Sequence, residues 1–190
     1  MCKTEVLQKQ LEDRVPLSDR ITQTVIDNLV KPRFVTIDDE DLTEYIYRYC
    51  KQLLQYSMDR HESKELAYAI NLTTLDFVGA VYGDARTVDV DAIVPRSDDC
   101  DYVFIVLHNH PSNNTFSPKD LNTFFEVANV SILVVIGNKG ALYVIEKTRA
   151  ITRADFLEIK RIIIRYRNSE NSFEEAVNEL AGYGIVYSIF

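Results

Sequence analysis

Three cysteines, three histidines and no apolar run long enough to cross a bilayer set the first limits on this chain of 190 residues. Cys2, Cys50 and Cys100 are odd in number and widely spaced, so they make neither a disulfide framework nor a cysteine-type zinc site. They fit a reducing compartment. The N-terminus lacks a basic region followed by an apolar stretch, so no signal peptide is read there. No apolar run nears the ~20 residues of a membrane helix, and a cytoplasmic location is expected. Basic charge is scarce as well, with 21 Lys and Arg against 29 Asp and Glu and a net charge of −8. That balance argues against a general nucleic-acid or anionic-membrane binder. Lys160, Arg161, Arg165 and Arg167 can still make a local basic surface.

What is present suits one globular domain of ordinary size with a real core. Hydrophobic content is 46% and charged content 26%. No internal repeat or low-complexity segment interrupts it. Residues 1–58 read as helical. Val6, Leu7, Leu11 and Val15 form a weak first stripe. Ser18 caps a second helix through Ile21, Val25, Ile26 and Leu29, stopped by Pro32. A third starts at the acidic residues 38–41 and runs through Leu42, Tyr45, Ile46, Tyr49 and Leu53. Acidic residues suit a helix N-terminus, so that run reads as a helix start rather than a metal site.

Residues 66–71, 77–82 and 87–94 alternate as strands do, with Gly79 and Gly83 marking a bulge or turn. Residues 102–107 form an apolar, β-branched run that reads as a buried strand. Residues 132–136 and 141–145 flank a turn at 137–140 as a hairpin. A helix over 154–166 follows, then a last one through Phe173, Val177 and Leu180, ending near Gly182 and Gly184. The apolar tail 185–190 suits an edge strand. Strands with hairpin links and interspersed helices predict an α+β, mixed α/β layered fold.

The chemistry concentrates where the strand at 102–107 ends. His108 and His110 share a face by strand alternation, about 7 Å apart at the backbone, while Asn109 points the other way. Both imidazoles can therefore reach one ion at the ~2.0–2.1 Å of a zinc–nitrogen bond. Pro111 stops the strand, and residues 112–115 are turn chemistry. Ser117 is a favoured N-cap, Pro118 fits the first helical position, and Leu121, Phe124, Phe125 and Ala128 follow at helical spacing. Asp120 then lies in the first turn. A carboxylate there can complete two histidines and a water into a catalytic-type zinc shell. Each element alone has a bland explanation. Ser117 and Asp120 resemble a capping box, and two histidines at a strand end are often incidental. Their conjunction favours a site.

The pattern of His108, Asn109, His110 and Pro111, a short loop, then Ser117 and Asp120 resembles the JAB/MPN family of zinc metalloproteases, the JAMM-motif hydrolases. The wording around the histidines is similar to bacterial RadC-like relatives. The Phe116, Ser117 and Asp120 ending is similar to JAB domains of phage and mobile elements. The loop between Pro111 and Ser117 is one residue shorter than the family's commonest form. The resemblance covers residues 64–147. Amidohydrolases and metallo-β-lactamases need more histidines than His61 can supply, and zinc deaminases need a paired cysteine motif that is lacking.

The resemblance implies an MPN/JAB-like core over residues 59–148, with an N-terminal helical extension at 1–58 and C-terminal helices packing on the core at 149–190. It implies Zn²⁺ held by His108, His110 and Asp120. Glu65 is the implied general base and Glu62 the fallback; Ser117 is implied to donate to a developing oxyanion. The implied reaction is hydrolysis of an amide or isopeptide bond in a protein or peptide substrate. The alternative is a non-catalytic MPN-like scaffold, in a RadC-like or mobile-element context, with the terminal helices offering surface to an assembly partner.

Overall fold

The computed structural model describes residues 13–94 and 103–190. The stripe at Val6, Leu7 and Leu11, Tyr102, and the cysteines Cys2 and Cys100 lie outside the described residues.

Six strands form one mixed sheet: β1 (Leu66–Asn71), β2 (Phe77–Tyr82), β3 (Phe104–His110), β4 (Val130–Gly137), β5 (Leu142–Lys147) and β6 (Ile185–Ile189). Their order is β2-β1-β3-β4-β5-β6. All neighbours are antiparallel except β3 and β4, which run parallel. A parallel pair needs a crossover, and α3 (Pro118–Glu126) supplies it. The other helices are α1 (Gln23–Asp27), α2 (Glu40–Arg60), α4 (Arg153–Arg167) and α5 (Phe173–Ala181). Among the described residues, no helix is long and apolar enough to cross a membrane.

The fold is mixed α/β in three layers, and strand alternation divides its core in two. Ile46, Cys50, Leu53 and Leu54 of α2 pack against Leu66, Ile70, Ile105, Leu107, Val134 and Val144. On the opposite face, Leu121, Phe124 and Phe125 of α3 and Ile159, Ile162 and Ile163 of α4 pack against Ala67, Ala69, Val106, Leu133 and Val135. Strands β3 and β4 are covered on both faces, which is why they read as continuous apolar runs. Helix α2 is thus one of the layers that close the core. Asp39 caps it by accepting from the Leu42 N–H at 3.0 Å.

Two expectations are corrected. Residues 87–94 are not a strand. The chain turns at Gly83, where a Cβ would sit 2.3 Å from the Thr87 carbonyl oxygen. The Asp84 carboxylate then accepts from the N–H groups of Arg86 and Thr87. Around a short 3₁₀ turn at Val90–Ala92, Val88, Val90 and Val94 are all buried against the α3 side of the core. Their alternating burial comes from lying down on the sheet rather than from pairing within it.

Ser18 does not cap a long second helix. It sits in the 3₁₀ turn Leu17–Asp19, and α1 is only five residues, capped by Thr22. The Ile21 N–H donates to Ser63 Oγ at 3.1 Å, and α1 starts two residues further on.

Candidate metal centre

The end of β3 delivers His108 and His110 to the α3 side of the sheet. Their Nε2 atoms are 3.0 Å apart. The loop that follows returns a carboxylate to them, and three local devices hold it. The Asn113 N–H donates to the His110 carbonyl at 3.1 Å, with Asn113 in the left-handed region at φ 56°. Asn113 Oδ1 accepts from the Lys139 N–H. Phe116 is fully buried, and its carbonyl accepts from the Tyr166 hydroxyl at 3.1 Å. The loop can lie this close to β4 because residue 137 is glycine, as a Cβ there would sit 1.9 Å from Asn113 Oδ1.

Ser117 then starts α3 in a full capping box. Its Oγ accepts from the Asp120 N–H at 3.1 Å, and Asp120 Oδ2 accepts from the Ser117 N–H at 2.7 Å. The cap and the site are one structure. Asp120 Oδ1 lies 3.3 Å from His108 Nε2, and Oδ2 lies 3.4 Å from His110 Nε2. Among the described residues, these three side chains are the one His, Cys, Asp or Glu group able to hold a metal.

The donor set fits a divalent ion. Ligands of a tetrahedral zinc at ~2.0–2.1 Å lie roughly 3.3 Å from one another. The observed separations of 3.0, 3.3 and 3.4 Å match that edge. His110 Nδ1 donates to the Asn114 carbonyl at 3.0 Å, which leaves its Nε2 lone pair facing the cluster. Two ring nitrogens and a carboxylate crowded together repel unless a proton or a cation sits among them. His108 is fully buried, and its Nδ1 has no hydrogen-bond partner among the described residues. It also borders a cavity of about 10 Å³, room for a single water.

The electrostatics agree with a site built for positive charge. Burial pushes the His108 pKa down, which keeps the ring neutral and able to ligate. Burial also opposes charge on His110, but the bond to Asp120 and the charges of Asp120 and Glu65 outweigh it and raise its pKa. Burial alone would raise the Asp120 carboxyl, yet the two imidazoles hold it well below its usual range.

Glu65 immediately precedes β1 and is 5% exposed. It lines an open cleft of about 490 Å³ together with His110, Ser117, Asp120, Arg86 and Lys119. Burial raises its pKa to about 7, with Asp120 and Asp84 adding to the rise and His110 opposing it. Glu62 is elsewhere: its side chain is 68% exposed and 3.5 Å from Lys64. His61 is apart too, its Nε2 bonding the Gly83 carbonyl at 2.9 Å.

The structure therefore brings Glu65, His110, Ser117 and Asp120 to one cleft, with His108 buried behind His110 and Asp120, and leaves Glu62 outside it. Lys119 and Arg86 were not singled out from sequence. Lys119 Nζ donates to Thr87 Oγ1 and the Val88 carbonyl, tying the 87–94 segment to the first turn of α3. No local pattern marks either residue, because the contact joins segments about thirty positions apart. Compared with family models, curated proteins and solved structures, the chain matches none.

Proposed function

We propose that this chain is a zinc-dependent hydrolase of the JAMM type that cleaves an amide or isopeptide bond in a protein or peptide. The observation that carries the reading is the convergence of His108, His110 and Asp120 at 3.0–3.4 Å, with Glu65 lining the same cleft. In this reading the strands and α3 around the site form an MPN-like core.

His108 Nε2, His110 Nε2 and an Asp120 oxygen would hold the ion. When bound, zinc would supply Lewis acidity and lower the pKa of water toward neutrality. The chain's own residues supply the rest. Glu65, with its pKa lifted to about 7 by burial, is suited to take a proton from water near neutral pH and return it to a leaving amine. Ser117 Oγ uses a lone pair to accept from the Asp120 N–H, so its own proton is free for a developing oxyanion. Asn114 holds the His110 ring in the ligating tautomer. Burial of the histidines limits the water that would compete for the site.

The test is metal content by elemental analysis, with peptide and isopeptide hydrolysis measured on the same preparations. About one zinc per chain is expected, lost in the His108→Ala, Asp120→Ala double variant. Glu65→Gln should keep its metal and lose hydrolysis. A protein that takes up no zinc even when it is supplied would refute the hydrolase and leave the scaffold reading.

A further inference from the structure

Glu65 sits just beyond the regular ladder between β1 and β3, whose last paired residues are Ala67 and His108. Past that point a side chain replaces the missing backbone partner. Asn109 points to the α2 side of the sheet, away from the histidines, and is fully buried. Its Oδ1 accepts from the Leu66 N–H at 2.8 Å, and its Nδ2 donates to the Lys64 carbonyl at 3.1 Å. Those two groups belong to the two peptide planes on either side of Glu65. The remaining polar groups of the same planes are tied to the end of β2. The Glu65 N–H donates to the Asp84 carbonyl, and the Glu65 carbonyl accepts from the Gly83 N–H. All four are satisfied, so the backbone torsions of Glu65 are fixed from both sides.

A second buried amide fixes the first. Asn138, in the turn between β4 and β5, accepts from Asn109 Nδ2 at 2.8 Å through its Oδ1. Its Nδ2 donates to the carbonyls of Ser63 at 2.8 Å and Asp19 at 3.0 Å. With two carbonyls demanding its amino group, Asn138 must present oxygen to Asn109. Asn109 must then turn its own oxygen toward Leu66.

The segment leading into Glu65 needs such restraint. Glu62 and Ser63 are consecutive non-glycine residues in the left-handed region, at φ 55° and 62°. Such conformations are costly and persist only where the surroundings over-determine them. Here the Ser63 N–H donates to the Ser57 carbonyl, and Ser57 Oγ donates to the Lys64 carbonyl at 2.7 Å. Asn138 holds the Ser63 carbonyl.

We infer that Asn109 and Asn138 are a positioning pair for Glu65, acting through the thickness of the sheet to hold its carboxylate in the metal cleft. The inference rests on the hydrolase reading for its consequence in catalysis, but the clamp itself is measurable without turnover. Asn138 is the residue to change, since its side chain lies outside the cleft, and the bond it makes to a ligand residue, from its backbone N–H to the His110 carbonyl at 3.0 Å, does not involve that side chain.

In Asn138→Ala, hydrogen exchange at the Leu66 amide should quicken by about tenfold or more while the amides of β4 keep their protection. Zinc stoichiometry and affinity should match the unaltered protein. The kcat for hydrolysis should fall by about tenfold or more with KM little changed, because a displaced base costs the chemical step and not binding. Asn138→Ser is too short to reach Asn109 but keeps a polar group at the buried position; it should move the same readouts in the same direction, and it serves if the alanine variant fails to fold. Unchanged exchange at Leu66 would overturn the inference. So would a loss of zinc affinity and β4 protection together, which would mark Asn138 as merely structural. If the unaltered protein binds zinc but hydrolyses nothing, the hydrolase reading falls, and Leu66 exchange still decides the clamp.

Discussion

The Asp120 carboxylate closes the α3 cap by accepting from the Ser117 N–H at 2.7 Å, and the same carboxylate faces His108 Nε2 at 3.3 Å. One side chain thus caps the start of a helix and completes a candidate ligand set. The two roles reinforce each other, since the cap fixes the rotamer that the ion would need.

That double use separates two effects at Ser117. Ser117→Ala should cost about 1 kcal/mol of stability from the lost cap, whereas Ser117→Gly should cost only a few tenths. Both remove the hydroxyl donor, so both should lower hydrolysis by about a hundredfold. Denaturation curves and rates on the two variants check this. If rate tracks stability across the pair, Ser117 serves the cap alone.

Gly137 should be intolerant of any side chain. A Cβ there would meet Asn113 Oδ1 at 1.9 Å and Asn113 Cγ at 2.6 Å. Gly137→Ala must push the 112–117 loop outward at a cost of about 1–3 kcal/mol. Because that loop carries Ser117 and sets Asp120, zinc affinity should fall with stability. A zinc titration and a melting curve together test it, and a variant with wild-type values for both would show that the loop is not held at Gly137.

These two positions mark the boundary of what the sequence discloses. The histidines and the Ser117, Pro118 and Asp120 start of α3 carry short-range signals: a two-residue face repeat, an N-cap, a proline at the first turn. The strands at 66–71 and 77–82 carry theirs in alternation. Residues 87–94 carry the same alternation and are not a strand, because pairing is a choice made by distant chain and burial is not. The Asn109 and Asn138 contact spans 29 positions. Alternation predicts that Asn109 faces away from the metal, but nothing local names what it meets there.

Among the described residues, the β2 edge is guarded by an irregular register beside Val78 but by no charge on the strand. β2 is a terminal strand of the sheet, and residues 77–82 contain no charge and no proline. Phe77, Val78 and Tyr82 are 44%, 39% and 54% exposed. Val78→Lys should reduce self-association at high concentration while changing stability by no more than about 0.5 kcal/mol. Light scattering across a concentration series reads the first, and urea denaturation the second. Equal scattering from both proteins would mean this edge does not drive association.

Glu65 should leave a signature in the metal-free protein. Its pKa is about 7 in the fold against 4.5 as the ordinary value. Below pH 4.5 it is protonated in both folded and unfolded chains and exerts no pull on the equilibrium. Between 4.5 and 7 the folded chain holds a proton that the unfolded chain has released, so stability falls as pH rises through that window. The loss is roughly 3 kcal/mol at most, and it is complete above the folded pKa. In Glu65→Gln this component is gone, and with it the part of the His110 rise that the Glu65 charge supplies, while the influence of Asp120 on His110 remains. With a chelator present, the variant should therefore gain stability relative to the unaltered protein as pH rises from 5 to 8. Zinc should shrink that gain, because a nearby cation favours the ionised carboxylate. Urea denaturation of both proteins across this range, with and without zinc, measures the effect. Parallel pH curves for the two metal-free proteins would mean that burial does not hold the Glu65 proton, and Glu65 would lose its claim to be the base.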